Sequence, residues 1–150
     1  MDTSEKLYEL IWMSRPLMQA ADTLVERNLK GTSLTVRMRA VLEVIALHGS
    51  LPVPEIAAHL HINRQYVQVM VNETIAQGFT QKISNPRHQK SALIALTVAG
   101  NQIINQVMTQ ERVIVRNLAS NLDATSIDEA HGLMSKLLIA LQTLEKGNPL

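Results

Sequence analysis

The segment covering residues 52–97 constrains the fold of this chain more than any other part. Residues 55–60 within it have the pattern of a short helix, and a tight turn follows at residues 61–62. Asn63 has the side chain and the position of an N-terminal cap for a second helix, which ends before Gly78. Two short helices joined by so tight a turn predict a helix-turn-helix.

Two short β patterns follow this helix pair. The runs at 79–83 and 92–96 contain β-branched and aromatic residues, and they flank the turn-favouring pair Asn85-Pro86. A helix-turn-helix followed by a β-hairpin describes a winged helix-turn-helix, which places one helix in the major groove of DNA. We therefore predict a mainly α fold whose chemistry is recognition rather than catalysis.

Long helices are predicted on both sides of this lobe. Apolar residues recur at three- and four-residue steps over residues 4–29, and Pro16 predicts a kink or break near residues 13–15. Gly31 is a candidate left-handed cap for this helix, and Thr35 is a candidate cap for the next one.

The C-terminal part predicts two further helices. Thr97 has the position of a cap for the first, and Ser126 and Glu129 have the spacing of a capping box for the second. The last helix carries an apolar stripe of Ile127, Ala130, Leu133, Met134, Leu137, Leu138, Leu141 and Leu144.

This stripe, together with one formed by Leu7, Leu10 and Ile11, is too extensive for one small lobe to cover. Two chains that interleave their terminal helices would bury both stripes, so we expect a homodimer. Residues 1–150 are then organised as a single unit of three parts. Residues 33–97 form the winged lobe, and residues 1–32 and 98–150 form the dimerisation helices.

Composition limits the chemistry and the location. The 150 residues include no cysteine, which excludes disulfides and thiolate metal sites. No apolar run approaches the ~18 residues that suggest a membrane span, and the acidic N-terminus lacks the features of a signal peptide. We expect a cytoplasmic protein without a cofactor or a membrane partner.

The net charge of +1 hides an uneven distribution. Residues 61–97 hold four Lys or Arg against one Glu, whereas 1–32 and 98–150 each hold four against five acidic residues. A basic middle between near-neutral ends suggests that only the middle meets phosphate. A solvated basic hairpin would look similar, so the charge is a modest signal.

Four polar side chains share one face of the helix that Asn63 begins. Arg64, Gln65, Gln68 and Asn72 are three or four residues apart, which places them on the same side. Arg, Gln and Asn carry the paired donors and acceptors that match guanine and adenine edges in the major groove. The alternative interpretation is an ordinary solvated helix face.

Further candidate DNA contacts lie around this helix. Tyr66 and Asn63 are at its N-terminal end, where backbone N–H groups can hold a phosphate. We include Thr35, at the start of the helix predicted after Gly31.

The hairpin tip at residues 84–91 is basic and too long for a tight turn. Its side chains Arg87, His88 and Lys90 are expected at a minor groove or at phosphates. A mobile surface loop would explain the same sequence.

The ordered set of motifs between Leu34 and Gly100 resembles the multiple-antibiotic-resistance regulator (MarR) family of bacterial transcription factors. The flanking helices match the layout of that family as well, so the resemblance covers nearly the whole chain. The matching residues are Leu34-Thr35, Val41-Leu42, Glu55-Ile56-Ala57-x-x-Leu60, Ile62-Asn63-Arg64, Gly78-Phe79, Asn85-Pro86 and Leu96-Thr97-x-x-Gly100.

The chain departs from the family pattern at two places. The family's wing usually carries an Asp-x-Arg motif, where this chain has His88 and Lys90, so the wing is expected to be looser or to dock differently. In the family, the helix that enters the major groove, here the one that Asn63 begins, often carries Arg where this chain has Val69. This difference suggests that the chain prefers a different DNA sequence, through contact with a thymine methyl group.

The resemblance also implies a small aromatic or anionic effector that releases DNA. Trp12, Arg15 and Met18 are candidates for lining its pocket, and the alternative is that Trp12 and the methionines simply fill the core.

The sequence also bears on three other functions. The pair His59-x-His61 suggests a metal, but it straddles a helix end without a carboxylate cluster nearby, so we predict no metal site. No catalytic motif is present, so we predict no enzyme. The stronger rival is a winged helix that serves as a protein-interaction or scaffold module without reading DNA.

Overall fold

Residues 2–147 are described by a computed structural model, and they form a mainly α fold with one small hairpin. The described elements are α1 (Thr3–Asn28), α2 (Val36–His48), α3 (Val53–Leu60), α4 (Arg64–Ala76), β1 (Thr80–Ile83), β2 (Leu93–Leu96), α5 (Val98–Ala119) and α6 (Ala124–Glu145). The predicted order of helix, turn, helix and hairpin is confirmed. The chain divides into two compact units, one ending at Glu111 and the other beginning at Arg112.

Side-chain caps fix where three of the predicted helices begin. The Oγ1 atom of Thr35 accepts a hydrogen bond from the backbone N–H of Met38 at 3.2 Å. Asn63 Oδ1 accepts from the N–H of Tyr66 at 2.8 Å, and Thr97 Oγ1 accepts from the N–H of Gly100 at 3.1 Å. Each bond satisfies one of the free donors of a helical first turn, so these predicted caps are confirmed.

The break predicted at Pro16 is wrong. The helix α1 continues through this residue for its full 26 residues. Proline removes one N–H donor, so the carbonyl of Trp12 loses its partner within the helix, but the remaining turns keep theirs. The predicted left-handed backbone at Gly31 is present, with φ at 84°.

The capping box predicted for the last helix is also wrong, because the helix begins earlier than the sequence pattern suggests. The cap is Asp123, whose Oδ2 accepts from the backbone N–H of Ser126 at 2.9 Å and from its hydroxyl at 3.0 Å. Ser126 therefore lies in the first turn of α6 and does not cap it.

The core of the winged lobe forms where α2, α3, α4 and β2 meet. Its fully buried side chains include Val41, Ile56, Val67, Val71 and Ile94. Each such side chain stabilises the fold by about 1.5–3 kcal/mol when it leaves water.

A second buried cluster joins the end of α1 to α2 and to the first half of α5. Its members are Leu29, Leu34, Met38, Leu42, Phe79, Ile104, Val107 and Met108. The end of α1 and α2 therefore both lie against the first half of α5 within the first compact unit.

An ion-pair network reinforces this junction. The guanidinium of Arg39 donates two hydrogen bonds to the carboxylate of Glu111, one from Nε at 2.6 Å, and it pairs with Glu43 one turn away at 2.5 Å. The hydrogen bonds to Glu111 are the main reason that the pKa of Arg39 lies above its ordinary value. Arg39 thus remains a cation at every accessible pH, and the pair ties α2 to α5.

The hairpin pairs Thr80 with Leu96 and Ile83 with Leu93 in antiparallel register. A single residue outside it, Leu51, adds an isolated bridge to Ile94, with hydrogen bonds of 2.8 and 3.3 Å in the two directions. This bridge attaches the hairpin to the segment between α2 and α3. The sequence did not predict it, because one paired residue leaves no periodic pattern.

Gly100 allows α5 to begin directly against the hairpin. A Cβ atom at this position would lie 1.9 Å from the carbonyl oxygen of Phe79, far inside any allowed contact. That carbonyl also accepts from the N–H of Thr97 at 3.0 Å, so it is held in place. Close packing against the carbonyl of Phe79 therefore explains why position 100 is a glycine.

We predict that Gly100→Ala lowers the free energy of unfolding by about 3 kcal/mol, because backbone must move on one side of the contact. Chemical denaturation measures the change. Val98→Ala is the matched control, since Val98 lies in the same helical turn and is 77% exposed. A Gly100→Ala variant as stable as the control would contradict the packing assigned to this position.

Candidate nucleic-acid interface

The orientation of α4 is fixed by its buried side. Val67 and Val71 are fully buried against the lobe core, and Met70 is nearly so. Thr74 is also buried, and its hydroxyl donates to the carbonyl of Val71 at 2.6 Å and shares a 2.7 Å bond with the hydroxyl of Thr80 in β1. The opposite side of α4 therefore faces outward.

This outward side carries the polar residues that the sequence pattern brought together. Arg64, Gln65 and Asn72 are exposed, and Gln68 is half-buried between them. The Nε2 atom of Gln68 donates a hydrogen bond to Asn72 Oδ1 at 2.9 Å. The predicted shared face is thus present.

A groove runs between this face and the hairpin. Three of the polar residues, Arg64, Gln65 and Gln68, line one wall, while Lys82 and Lys90 line the other. The open groove measures about 610 Å³, and its remaining lining residues are Val53, Pro54, Ser91, Ala92 and Ile94. It combines three cations with two amides and no carboxylate, which suits a polyanion with hydrogen-bonding edges.

The wing loop is organised by two consecutive turns. Asn85 Oδ1 accepts from the backbone N–H of Arg87 at 3.0 Å, and the carbonyl of Asn85 accepts from the N–H of His88 at 3.3 Å. The carbonyl of His88 in turn accepts from the N–H of Ser91 at 3.2 Å. Arg87 and His88 are exposed and, unlike Lys90, are not among the residues that line the groove.

The one acidic residue of the segment 61–97 is neutralised from outside it. Glu73 Oε1 accepts a hydrogen bond from Arg37 Nη2 of α2 at 2.7 Å. Hydrogen bonding with Tyr66 first, and the charge of Glu73 second, raise the pKa of Arg37 above its ordinary value. The segment therefore presents its positive charge without a free carboxylate on α4.

Two predicted DNA-contacting residues use part of their side chains for structure. The oxygens of Thr35 and Asn63 cap α2 and α4, as described above. The amide nitrogen of Asn63 is left for other partners, and Tyr66 beside it is 41% exposed.

The candidate effector residues lie on the open surface of α1. Trp12 is 52% exposed and Met18 57% exposed, and the guanidinium of Arg15 lies 5.6 Å from the centroid of the Trp12 ring. In the single chain these side chains lie at the surface, and the alternative, that Trp12 and the methionines fill a core, stays a prediction for the dimer. The expected contacts to an effector stay a prediction.

The histidines adopt an arrangement that the sequence did not suggest. His61 ends α3 in a left-handed conformation, with φ at 55°, whereas His59 stacks on His48 of α2 with ring centroids 3.9 Å apart. Within residues 2–147, no group of three or more His, Asp or Glu side chains is placed to hold a metal ion. None of the helices in this part of the chain is long and apolar enough to cross a membrane.

Lys82 and Arg37 are the residues of this surface that sequence reasoning did not assign. In the sequence, Lys82 was only one of the four basic residues of the segment 61–97. In the structure it pairs with Ile94 in the hairpin, and this register places it at the groove. Arg37 lies outside the basic segment, and only the contact between α2 and α4 reveals its role.

Two solved structures with this fold are informative. A crystal structure of a MarR family transcription regulator has a TM-score of 0.84, is 26% identical and covers 95% of each chain. A mutant MarR from E. coli complexed with operator DNA has a TM-score of 0.78 and 21% identity, covering 92% of this chain and 99% of that one.

Two relatives resemble the chain in sequence. The chain is 24% identical over 149 residues to the HTH-type transcriptional repressor MdtR of Bacillus subtilis, covering 99% of this chain and 96% of the repressor. An uncharacterized protein of Mycobacterium tuberculosis is 30% identical over 94 residues, which is 62% of this chain and 65% of that protein's length. No family model matches the sequence.

In its winged lobe, its flanking helices and this likeness over nearly the whole length, the chain is similar to MarR family transcription regulators. The resemblance inferred from the ordered motifs is confirmed.

Proposed function

We propose that this protein is a transcriptional repressor that binds a specific double-stranded DNA site as a homodimer. The observation that carries the proposal is the groove described above, in which an acid-free helix face meets two lysines of the hairpin. The names of the relatives, a repressor and a regulator complexed with operator DNA, support the same function.

The side chains divide into two kinds of DNA contact. Arg64, Gln65 and Gln68 are in the first two turns of α4 and would meet base edges in a major groove. Lys82 and Lys90, with Arg87 on the exposed loop, would meet phosphates or the minor groove. This division predicts different consequences for substitutions in each group.

A homodimer is supported by apolar surface that the single chain does not cover. No residue of α1 or α6 is buried, and large apolar side chains on both are substantially exposed. On α6 these include Leu133 at 46%, Leu138 at 53% and Leu141 at 44%. Apolar area of this extent is typical of permanent interfaces, which bury about 2,000 Å² or more. A dimer would present two α4 helices to a pseudo-palindromic site.

The alternative function, a scaffold without DNA readout, needs the same fold but not the same surface. A scaffold function does not explain why Lys82 and Lys90 of the wing and Arg64 of α4 line a common groove. A scaffold also predicts no salt-sensitive complex with DNA, and this difference makes it testable.

We expect Gln65→Ala to weaken binding to a selected site by roughly 1–3 kcal/mol and to relax base preference at one position. Lys90→Ala, as the paired variant, removes a phosphate contact, so it should weaken all sequences alike and reduce the salt slope by about one unit. Gel shifts on selected and random duplexes, each at two salt concentrations, measure both effects.

Identical losses for both variants on selected and random DNA would contradict the division into base and phosphate contacts. Absence of any salt-sensitive complex with wild-type protein would favour the scaffold.

We expect Leu141→Asp to dissociate or unfold the dimer, because an unpaired charge would be buried in the interface. Ser135→Asp is the matched control, since it adds the same charge to the polar part of α6. Light scattering at micromolar concentration measures the mass. A wild-type monomer, or a Leu141→Asp dimer as stable as the control, would contradict the proposed interface.

We propose in addition that an aromatic or anionic effector relieves repression through Trp12, Arg15 and Met18 of α1. Support comes from the exposed indole with its neighbouring guanidinium, which offers a stacking surface and a charge together. Because the end of α1 packs on α2, a ligand there can change how the two α4 helices are presented.

We expect simple aromatic carboxylic acids to bind more weakly when duplex DNA is bound, by the same factor by which they weaken DNA binding. Calorimetry with and without the selected duplex measures the factor, and Trp12→Ala should abolish it. Equal affinities in both states would remove the regulatory role, and an unchanged response in Trp12→Ala would place the site elsewhere.

A further inference from the structure

Gly78 and Phe79, which connect the end of α4 to β1, are hydrogen-bonded in two directions. Their N–H groups donate back to α4, that of Gly78 to the carbonyl of Ile75 and that of Phe79 to the carbonyl of Thr74, both at 2.9 Å. Their carbonyls both accept from Thr97, one from its hydroxyl at 2.6 Å and the other from its backbone N–H at 3.0 Å. Two consecutive peptide groups thus join the last turn of α4 to the residue that begins α5.

The direction of each bond made by the Thr97 hydroxyl follows from its partners. A carbonyl oxygen can only accept, so the hydroxyl donates its one proton to Gly78. A backbone N–H can only donate, so the same hydroxyl oxygen accepts from Gly100 at 3.1 Å. The hydroxyl therefore caps the first turn of α5 and, at the same time, connects that turn to the end of α4.

The helix α5 is held to the winged lobe at a second point as well. Arg39 of α2 donates its paired hydrogen bonds to Glu111, which is the last residue of the first compact unit. Between the two points, the second buried cluster packs α5 on α2. The ion pair and the cluster therefore attach α5 to α2, whereas Thr97 attaches it to the end of α4.

In the proposed homodimer, the distance between the two α4 helices depends on how each lobe is joined to the dimer interface. The chain runs from the lobe through α5 to α6, whose exposed apolar side chains the dimer would bury. Successive major grooves need the two α4 helices about 34–36 Å apart, so a small tilt of α4 on α5 changes the fit to the site. The Thr97 bonds lie where α4 and α5 are attached to each other, so they oppose such a tilt.

We propose that Thr97 is a positioning residue for DNA binding, whose hydroxyl fixes α4 on α5 and thereby sets the half-site spacing that the dimer accepts. This inference rests on the proposed function as a DNA-binding homodimer. It goes further by assigning the choice of spacing to a residue that does not line the groove. The rival role for Thr97 is that of an ordinary helix cap.

Three substitutions separate the connection to α4 from the cap. Thr97→Ser keeps the hydroxyl and both of its bonds. Thr97→Asp keeps an oxygen that caps α5, and Asp is among the best capping residues, but its carboxylate has no proton to donate to Gly78. Thr97→Val has nearly the shape of the wild-type side chain and loses both bonds. Val98→Asp is the matched control for the added charge, because Val98 is in the same turn and exposed.

The experiment starts from a duplex that the full-length wild-type protein selects from a randomised library. Two further duplexes have one base pair added to, or removed from, the centre of the selected site, which shifts the half-sites by about 3.4 Å and rotates them by about 35°. Competition gel shifts, under conditions in which urea denaturation shows every variant to be folded, give the ratio of affinities for the original and the altered spacing. This ratio is independent of a general loss of binding.

We expect the wild-type protein, Thr97→Ser and Val98→Asp to prefer the original spacing by roughly tenfold, the size of the penalty for one mismatched base pair. Thr97→Val and Thr97→Asp should both lower this ratio severalfold, because α4 can then tilt to follow a displaced half-site. Thr97→Asp retains the cap of α5, so it decides the question if Thr97→Val does not fold.

The results that would overturn the inference are distinguishable from failure of the proposed function. Selection of no duplex by the wild-type protein, or equal wild-type affinity for all three spacings, would remove the proposed function and this inference with it. A wild-type ratio in Thr97→Asp would make Thr97 only a cap, and an equally lowered ratio in Val98→Asp would assign the effect to charge. Both of these results would leave the proposed function standing.

Discussion

Burial of one side of α4 is the constraint on which the remaining surface depends. Because Val67, Met70 and Val71 are packed against α2 and α3, the helix cannot rotate about its axis without exposing them. The buried hydroxyl pair of Thr74 and Thr80 then joins the same side of the helix to β1. One packed face therefore determines both which residues point outward and where the hairpin stands beside them.

The charge distribution follows from this packing rather than from composition. A net charge of +1 gives no general attraction to DNA, so attraction must come from local placement. Arg37 of α2 reaches across to neutralise Glu73, and the hairpin register brings Lys82 and Lys90 to the groove with Arg64. The Arg39–Glu111 pair is equally local, but it acts on the fold by holding α5 against α2.

Much of this fold could be predicted because its signals are local in the sequence. The caps Thr35, Asn63 and Thr97, and the apolar periodicity of α4, are determined within a few residues. Predictions failed where local patterns competed or where contacts were distant. Asp123, not Ser126, caps the first turn of α6, and the single proline Pro16 does not interrupt α1.

The shared polar face of α4 was predictable from the spacing of its residues alone. The contributions of Lys82, Arg37 and the Leu51 bridge were not, because each depends on which elements lie side by side.

Hydroxyl-radical footprinting of the wild-type protein on a selected duplex tests the central claim, that two α4 helices enter successive major grooves, most directly. Helices placed in this way need a separation of about 34–36 Å, or one turn of DNA. The predicted pattern is two protected regions on each strand, related by a dyad and centred about 10 base pairs apart, with the protection disappearing as salt rises. A single protected region without a dyad, or uniform cleavage along the duplex, would contradict the claim.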